Sequence, residues 1–248
     1  MQDDKEALRR RFSELCDRAD TRRTPVFSDF LDMHEQSVLE ETRFSSPVFL
    51  WGGYKEAERR IACFGFTETP ETDELPAQWI CIAPAAQKFA DALTHRDFLG
   101  ALLSLGLRRE MIGDIVVTEN CGYVFCMRTV VSCILSELSR VKHTTVRCSA
   151  VEALPPDAVC APEYSEVVVA GTRLDALCAA VFRLSRADAQ KRIAAGRVFV
   201  NSREITKSDF SPTEGDIISV RGLGRFVFDG VARETKKGKL RVEIGIYK

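Results

Sequence analysis

Two arginines, Arg173 and Arg186, recur in the same local frame: Thr172-Arg173-Leu174-Asp175 and Ser185-Arg186-Ala187-Asp188. Each frame is a hydroxyl-x-x-acid capping box that opens a helix, and each arginine is expected at the first helical position. The positive end of the helix dipole makes a cation there cost about 0.3–1 kcal/mol. A local rule broken twice in the same way points to use rather than to folding. A guanidinium beside open helix N–H groups suits phosphate, because donors and positive charge converge on one anion. The alternative, in which each arginine only pairs with its neighbouring aspartate, stays open at this point. More donors follow. Gly196 is placed to stop the second helix, Arg197 to Arg203 reads as a strand entering a turn, and Lys207 comes next. The strand Ile217 to Val220 then runs into Arg221-Gly222-Leu223-Gly224-Arg225. Glycine lets a backbone approach a ligand closely, and flanking arginines favour a phosphate chain.

In this order, helix, helix and strand with RLD, then SR, then G-x-V-x-V-N, then GD-x-I-x-V, the stretch from Gly171 to Arg225 resembles the S-four domain, an RNA-binding module. Ser202 departs from that pattern, since the turn after the asparagine usually carries glycine, and the turn type is left open. By position, the resemblance implies RNA contacts at Arg173, Ser185, Arg186, Lys191, Arg192, Asn201, Arg203, Lys207, Arg221, Gly222, Gly224 and Arg225.

A second resemblance spans residues from about 28 to 247. Gly52-Gly53-Tyr54, Glu58-Arg59-Arg60, the run from His95 to Arg109, Ile112-Gly113-Asp114-Ile115 and the closing SVRGLGRF make the chain similar to the YlmH family of bacterial proteins. That family implies an N-terminal domain, an RRM-like middle domain and a C-terminal S-four domain. It also implies binding to rRNA of the large ribosomal subunit, with peptidyl-tRNA and a nascent-chain tailing factor as further partners, in rescue of stalled nascent chains without catalysis. Links of the family to cell division and photosystem assembly make a protein-interaction scaffold the alternative. His95, Arg96, Arg108, Arg109, Lys236 and Lys237 are further expected RNA contacts.

Other chemistries are weakly supported. The nine cysteines (Cys16, Cys63, Cys81, Cys121, Cys126, Cys133, Cys148, Cys160 and Cys178) are scattered and form no C-x-x-C, so reduced thiols are expected and no metal site. His34, His95 and His143 lie apart with no nucleophile frame around them. Asp97 reads as a helix cap. Gly52-Gly53 lacks the lysine and helix of a nucleotide site and reads as a turn. No G-x-G-x-x-G precedes the module, and no catalytic signature follows it, so an RNA-modifying enzyme ranks low and no cofactor is expected.

The elements that must position these residues divide into three expected units, an α+β chain overall. Residues 1–73 read as an N-terminal α/β domain. A helix carries Leu8, Phe12, Leu15, Cys16 and Ala19 on one face, Thr24-Pro25 breaks it, and Asp29 to Asp32 leads into a second helix. Strands follow at Pro47 to Trp51 and Ile61 to Phe66. A polar linker covers 67–76. Residues 77–152 read as β-α-β-β-α-β, the ferredoxin-like or RRM-like plan, with Tyr123 and Phe125 on one strand face where an RRM would stack bases. After a Pro-containing linker, residues 164–248 form the S-four (αL-type) RNA-binding domain, ending in a β-hairpin across Thr235 to Gly238.

Charge supports this division. Residues 171–248 carry 16 Lys and Arg against 9 Asp and Glu, and the first 170 carry 19 against 27, making the overall net charge of −1. A basic module on an acidic body fits local contact with nucleic acid. No apolar run reaches the ~18 residues of a membrane span, and the N-terminus has neither signal nor transit character. The expectation is a cytoplasmic monomer.

Overall fold

The computed structural model describes residues 2–65, 75–86, 91–118, 121–159, 161–236 and 238–247. Most of the polar linker read at 67–76, with Asn120, Cys160 and Lys237, lies outside the described residues. The chain forms two compact units, Met1–Val159 and Cys160–Lys248.

In the first unit, helix α1 (Gln2–Arg22) buries the face carrying Phe12, Cys16 and Ala19, as its 3.6-residue spacing requires. It stops at Arg23, which takes a positive φ before Thr24-Pro25. The chain then enters a strand that the sequence reading missed, β1 (Val26–Leu31), before helix α2 (Met33–Glu40). Asp32 caps α2 with a full capping box to Glu35. Strands β2 (Val48–Trp51) and β3 (Arg60–Phe64) complete an antiparallel sheet in the order β1-β3-β2.

Strand β3 shows why this sheet matters. Ala62 and Phe64 pack with α1 and α2, while Ile61 and Cys63, on the opposite face, join the core of the next sheet. That sheet is built from β4 (Ala77–Pro84), helix α3 (His95–Ser104), β5 (Ile112–Val117), β6 (Gly122–Met127), helix α4 (Arg128–Glu137), the short β7 (Arg140–Val141) and β8 (Thr144–Val151). Its order, β5-β6-β4-β8-β7, is the split βαβ arrangement with one added edge strand. Ile80, Ile82 and Val124 face the helices with Phe98, Leu102 and Ile134. Trp79 and Phe125 are paired on the other face, 5.0 Å apart, with Phe30 of β1 edge-on to Phe125 at 5.6 Å.

In the second unit, a six-stranded antiparallel sheet runs β11-β10-β12-β13-β14-β9. Its strands are β9 (Glu163–Val169), β10 (Val198–Val200), β11 (Arg203–Glu204), β12 (Ile217–Val220), β13 (Gly224–Glu234) and β14 (Leu240–Tyr247). Helices α5 (Leu174–Val181) and α6 (Arg186–Ala194) lie between β9 and β10 in sequence. Leu174, Leu177, Cys178, Ala189 and Ile193 share one core with Val198, Ile218, Phe226 and Ile244. The turn from β10 to β11 places both Asn201 and Ser202 at positive φ, so the position that usually takes glycine holds a left-handed serine.

Candidate nucleic-acid interface

The arginine pair is arranged differently from the expected capping boxes. Arg173 is itself the N-cap of α5, without a side-chain cap bond, and Asp175 points inward rather than back to Thr172. The first N–H groups of α5 are taken: Leu174 donates to the Phe210 carbonyl at 2.7 Å and Asp175 to that of Ser208 at 3.4 Å. An anion therefore finds no open helix terminus at those two groups. At α6 the expectation is half met, since Ser185 accepts from the Asp188 N–H at 3.0 Å and donates to its carboxylate at 2.7 Å.

Both guanidinium groups converge on Asp175, which is 0% exposed. Its Oδ2 accepts from Arg186 Nη2 at 2.7 Å, Gln190 Nε2 at 2.8 Å and Arg173 Nη2 at 3.3 Å. The alternative of arginine–aspartate pairing is thus realised, but through one shared aspartate, and Asp188 turns to Ser185 instead. Burial pushes the Asp175 carboxyl up, but the hydrogen bonds from Gln190 and Arg186 and the two arginine charges outweigh it and hold it below the usual carboxylate range. Arg173 and Arg186 keep side-chain exposures of 48% and 47%, so each still presents N–H groups to solvent.

A second group of cations sits at one end of the sheet. Arg221 donates its N–H to the Arg197 carbonyl at 2.9 Å, and Arg225 lies across from Ser219 one strand away. The turn between Arg221 and Arg225 uses positive φ at Gly222 and Gly224, with the Leu223 N–H closing on the Val220 carbonyl. The Arg225 guanidinium carbon stands 4.4 Å from the Tyr247 ring centroid, and that of Arg221 stands 5.9 Å from that of Phe199. Arg183 and Arg197, both exposed, were left out of the residue set drawn from the sequence. The signal for Arg197 was the strand register that brings it beside Arg221.

The remaining expected contacts divide by what their side chains do. Lys191, Arg203 and Lys207 are exposed, and Arg192 is half-buried. Asn201 is exposed, and its amide also donates to Asp216 at 2.8 Å and accepts from the Ile217 N–H at 2.9 Å. His95, Arg96 and Arg108 are exposed on the first unit, and Lys236 on the second. Arg109 is half-buried, donating to the carbonyls of Ile112 and Gly113, and burial with the Arg59 charge brings its pKa down to about 10. These bonds tie its guanidinium to the start of β5.

The aromatic pair of β6 separates in the same way. Phe125 is 3% exposed under Phe30 and Trp79 and has no face for a base, whereas Tyr123 is half-buried. Gly53, at φ +92°, belongs to this joint: a Cβ there would stand 3.0 Å from the Phe125 and Trp79 rings. It packs two sheets together and is no phosphate loop. Among the described residues no group of three His, Cys, Asp or Glu could hold a metal ion, and no helix is long and apolar enough to cross a membrane.

Comparison with known proteins places both units. A family model described as "Putative RNA-binding domain in YlmH" matches residues 70–154, and an S4 domain model matches residues 172–218. A Bacillus subtilis (strain 168) protein named "Ribosome-associated protein quality control protein P2" is 33% identical over 223 residues, covering 87% of this chain and 84% of that one. A solved structure, "Cell division protein ylmH from Streptococcus pneumoniae", matches with a TM-score of 0.48 and 18% identity, over 60% of this chain and 91% of that one.

Proposed function

The chain belongs to the YlmH family, and from that premise we propose that it is a non-catalytic RNA-binding protein of ribosome-associated quality control. Its target is rRNA of the large ribosomal subunit, with peptidyl-tRNA as a second contact, and it works beside a nascent-chain tailing factor, as a monomer in the cytoplasm. The observation that carries this reading is the arginine pair at Arg173 and Arg186, exposed on a module with an excess of positive charge. Structured RNA is read through phosphates, 2′-hydroxyls and shape, and a compact arginine surface matches that chemistry better than an acid–base site would.

Ser185, Lys191, Arg192, Arg203, Lys207 and the Arg221–Arg225 turn extend the surface along the module. His95, Arg96, Arg108 and Lys236 supply secondary contacts. The name of the Bacillus relative supports the ribosomal setting.

Sucrose-gradient sedimentation of tagged protein from lysate tests the reading, with wild type run beside Arg173→Gln/Arg186→Gln, which removes both charges and keeps donors to Asp175. Wild type is expected with large subunits and the variant at the top of the gradient. Both at the top at low salt would favour the scaffold alternative.

A further inference from the structure

We propose that Asp175 is a positioning residue for RNA binding: it fixes two guanidinium groups as one clamp for a single phosphate. This rests on the RNA-binding reading above. A fully buried carboxylate is expensive unless it is paired and bonded. Asp175 meets that cost with one oxygen only, for Oδ2 takes all three donors while Oδ1 has no partner among the described groups. A carboxylate can accept on both oxygens, yet here all three donors share one. Stacking them on one brings the Nη2 atoms of Arg173 and Arg186 to within about 6 Å of each other, the two bond lengths end to end. Two nitrogens that close reach two oxygens of one phosphate through charge-assisted bonds of about 2.8 Å. Each arginine spends one of its five N–H groups on Asp175 and keeps the others for a ligand.

Charge alone gives no reason for this aspartate. It cancels one of the two positive charges, so on Coulombic grounds it weakens the hold on an anion. Positioning and charge therefore predict opposite signs for the same substitution. Asp175→Asn keeps the shape, can present its carbonyl to the donors and its amide where Oδ1 stands, and removes the negative charge. If charge governs, binding tightens. If geometry governs, binding weakens, because a neutral acceptor holds two guanidinium groups less firmly than a carboxylate.

The full chain is titrated against purified, salt-washed large ribosomal subunits over a range of KCl concentrations, as wild type, Asp175→Asn, Arg173→Ala/Arg186→Ala and the triple variant. The expected result is an affinity loss of about tenfold for Asp175→Asn, with a shallower dependence of log K on log salt. No further loss is expected when Asp175→Asn is added to the arginine-free background. Equal or tighter binding by Asp175→Asn overturns the proposal, and so does an equal loss in both backgrounds, which is the mark of a merely structural residue. If Asp175→Asn does not fold, Asp175→Ser decides by the same criteria, since it also removes the charge and leaves only a neutral hydroxyl as acceptor beneath the two arginines. Failure of the RNA-binding reading looks different: wild type itself does not bind, or removing both arginines changes nothing.

Discussion

Asp114→Ala is expected to destabilise the whole first unit. Asp114 ties the segment after Gly52-Gly53 to β5: Oδ2 accepts from the Tyr54 hydroxyl and the Glu58 N–H, both at 2.8 Å, and Oδ1 from the Arg59 N–H at 2.9 Å. Hydrogen bonds to a charged group contribute about 1.5–3 kcal/mol each. The site is half-buried, so water recovers part of that, and a net loss of about 3 kcal/mol is the expected result. Both tryptophans, Trp51 and Trp79, lie in this unit, and Trp79 is 3% exposed beside the joint. Urea unfolding followed by their fluorescence reads the loss directly. With a slope of about 2 kcal/mol per molar urea, the midpoint falls by about 1.5 M. A Trp51→Phe background lets Trp79 report alone. Since Phe30, Ile61 and Cys63 share a core with the five-stranded sheet, both tryptophans are expected to report a single transition. A midpoint shift under about 0.3 M, or two separate transitions, would refute the reasoning.

Two smaller effects can be checked on the same protein. Ser185→Ala removes the cap of α6 and is expected to cost about 1 kcal/mol in a thermal or urea melt of the second unit; an unchanged midpoint would show that the cap contributes nothing. Hydrogen bonds from Thr94 and Lys142 hold the Asp97 carboxyl down to about 2, against an ordinary 3.8. A depressed carboxyl stabilises the fold above its unfolded value and loses that contribution as pH falls through the folded one. Asp97→Asn is therefore expected to flatten the stability–pH curve between about pH 4 and 2, and an identical acid limb in both proteins would contradict this.

Much of this architecture was readable from spacing. The face of α1, the β-α-β-β-α-β order and the helix pair before β10 follow from local periodicity, which short-range contacts enforce. Strand β1 was not readable, because its inward positions include Ser28, buried with its hydroxyl bonded to the Asp29 carbonyl and the Ala62 N–H. A polar inward residue hides the alternation, and Asp29 and Asp32 look like a helix lead. The candidate site shows the same limit. The two arginines stood out by sequence position, but their meeting at Asp175 depends on contacts eleven and fifteen residues away, from Arg186 and Gln190. No capping rule covers such contacts. Phe125 was legible as an inward or stacking aromatic, and only the packing of β1 against the open sheet face decides for the core.

The most direct test of the central claim is equilibrium binding of purified chain to purified large ribosomal subunits, with Arg173→Gln/Arg186→Gln, whose amides still donate to Asp175, beside wild type and circular dichroism recorded for both. The account predicts saturable, salt-dependent binding by wild type and its loss in a variant whose dichroism is unchanged. A natively folded variant that binds as tightly as wild type would contradict it.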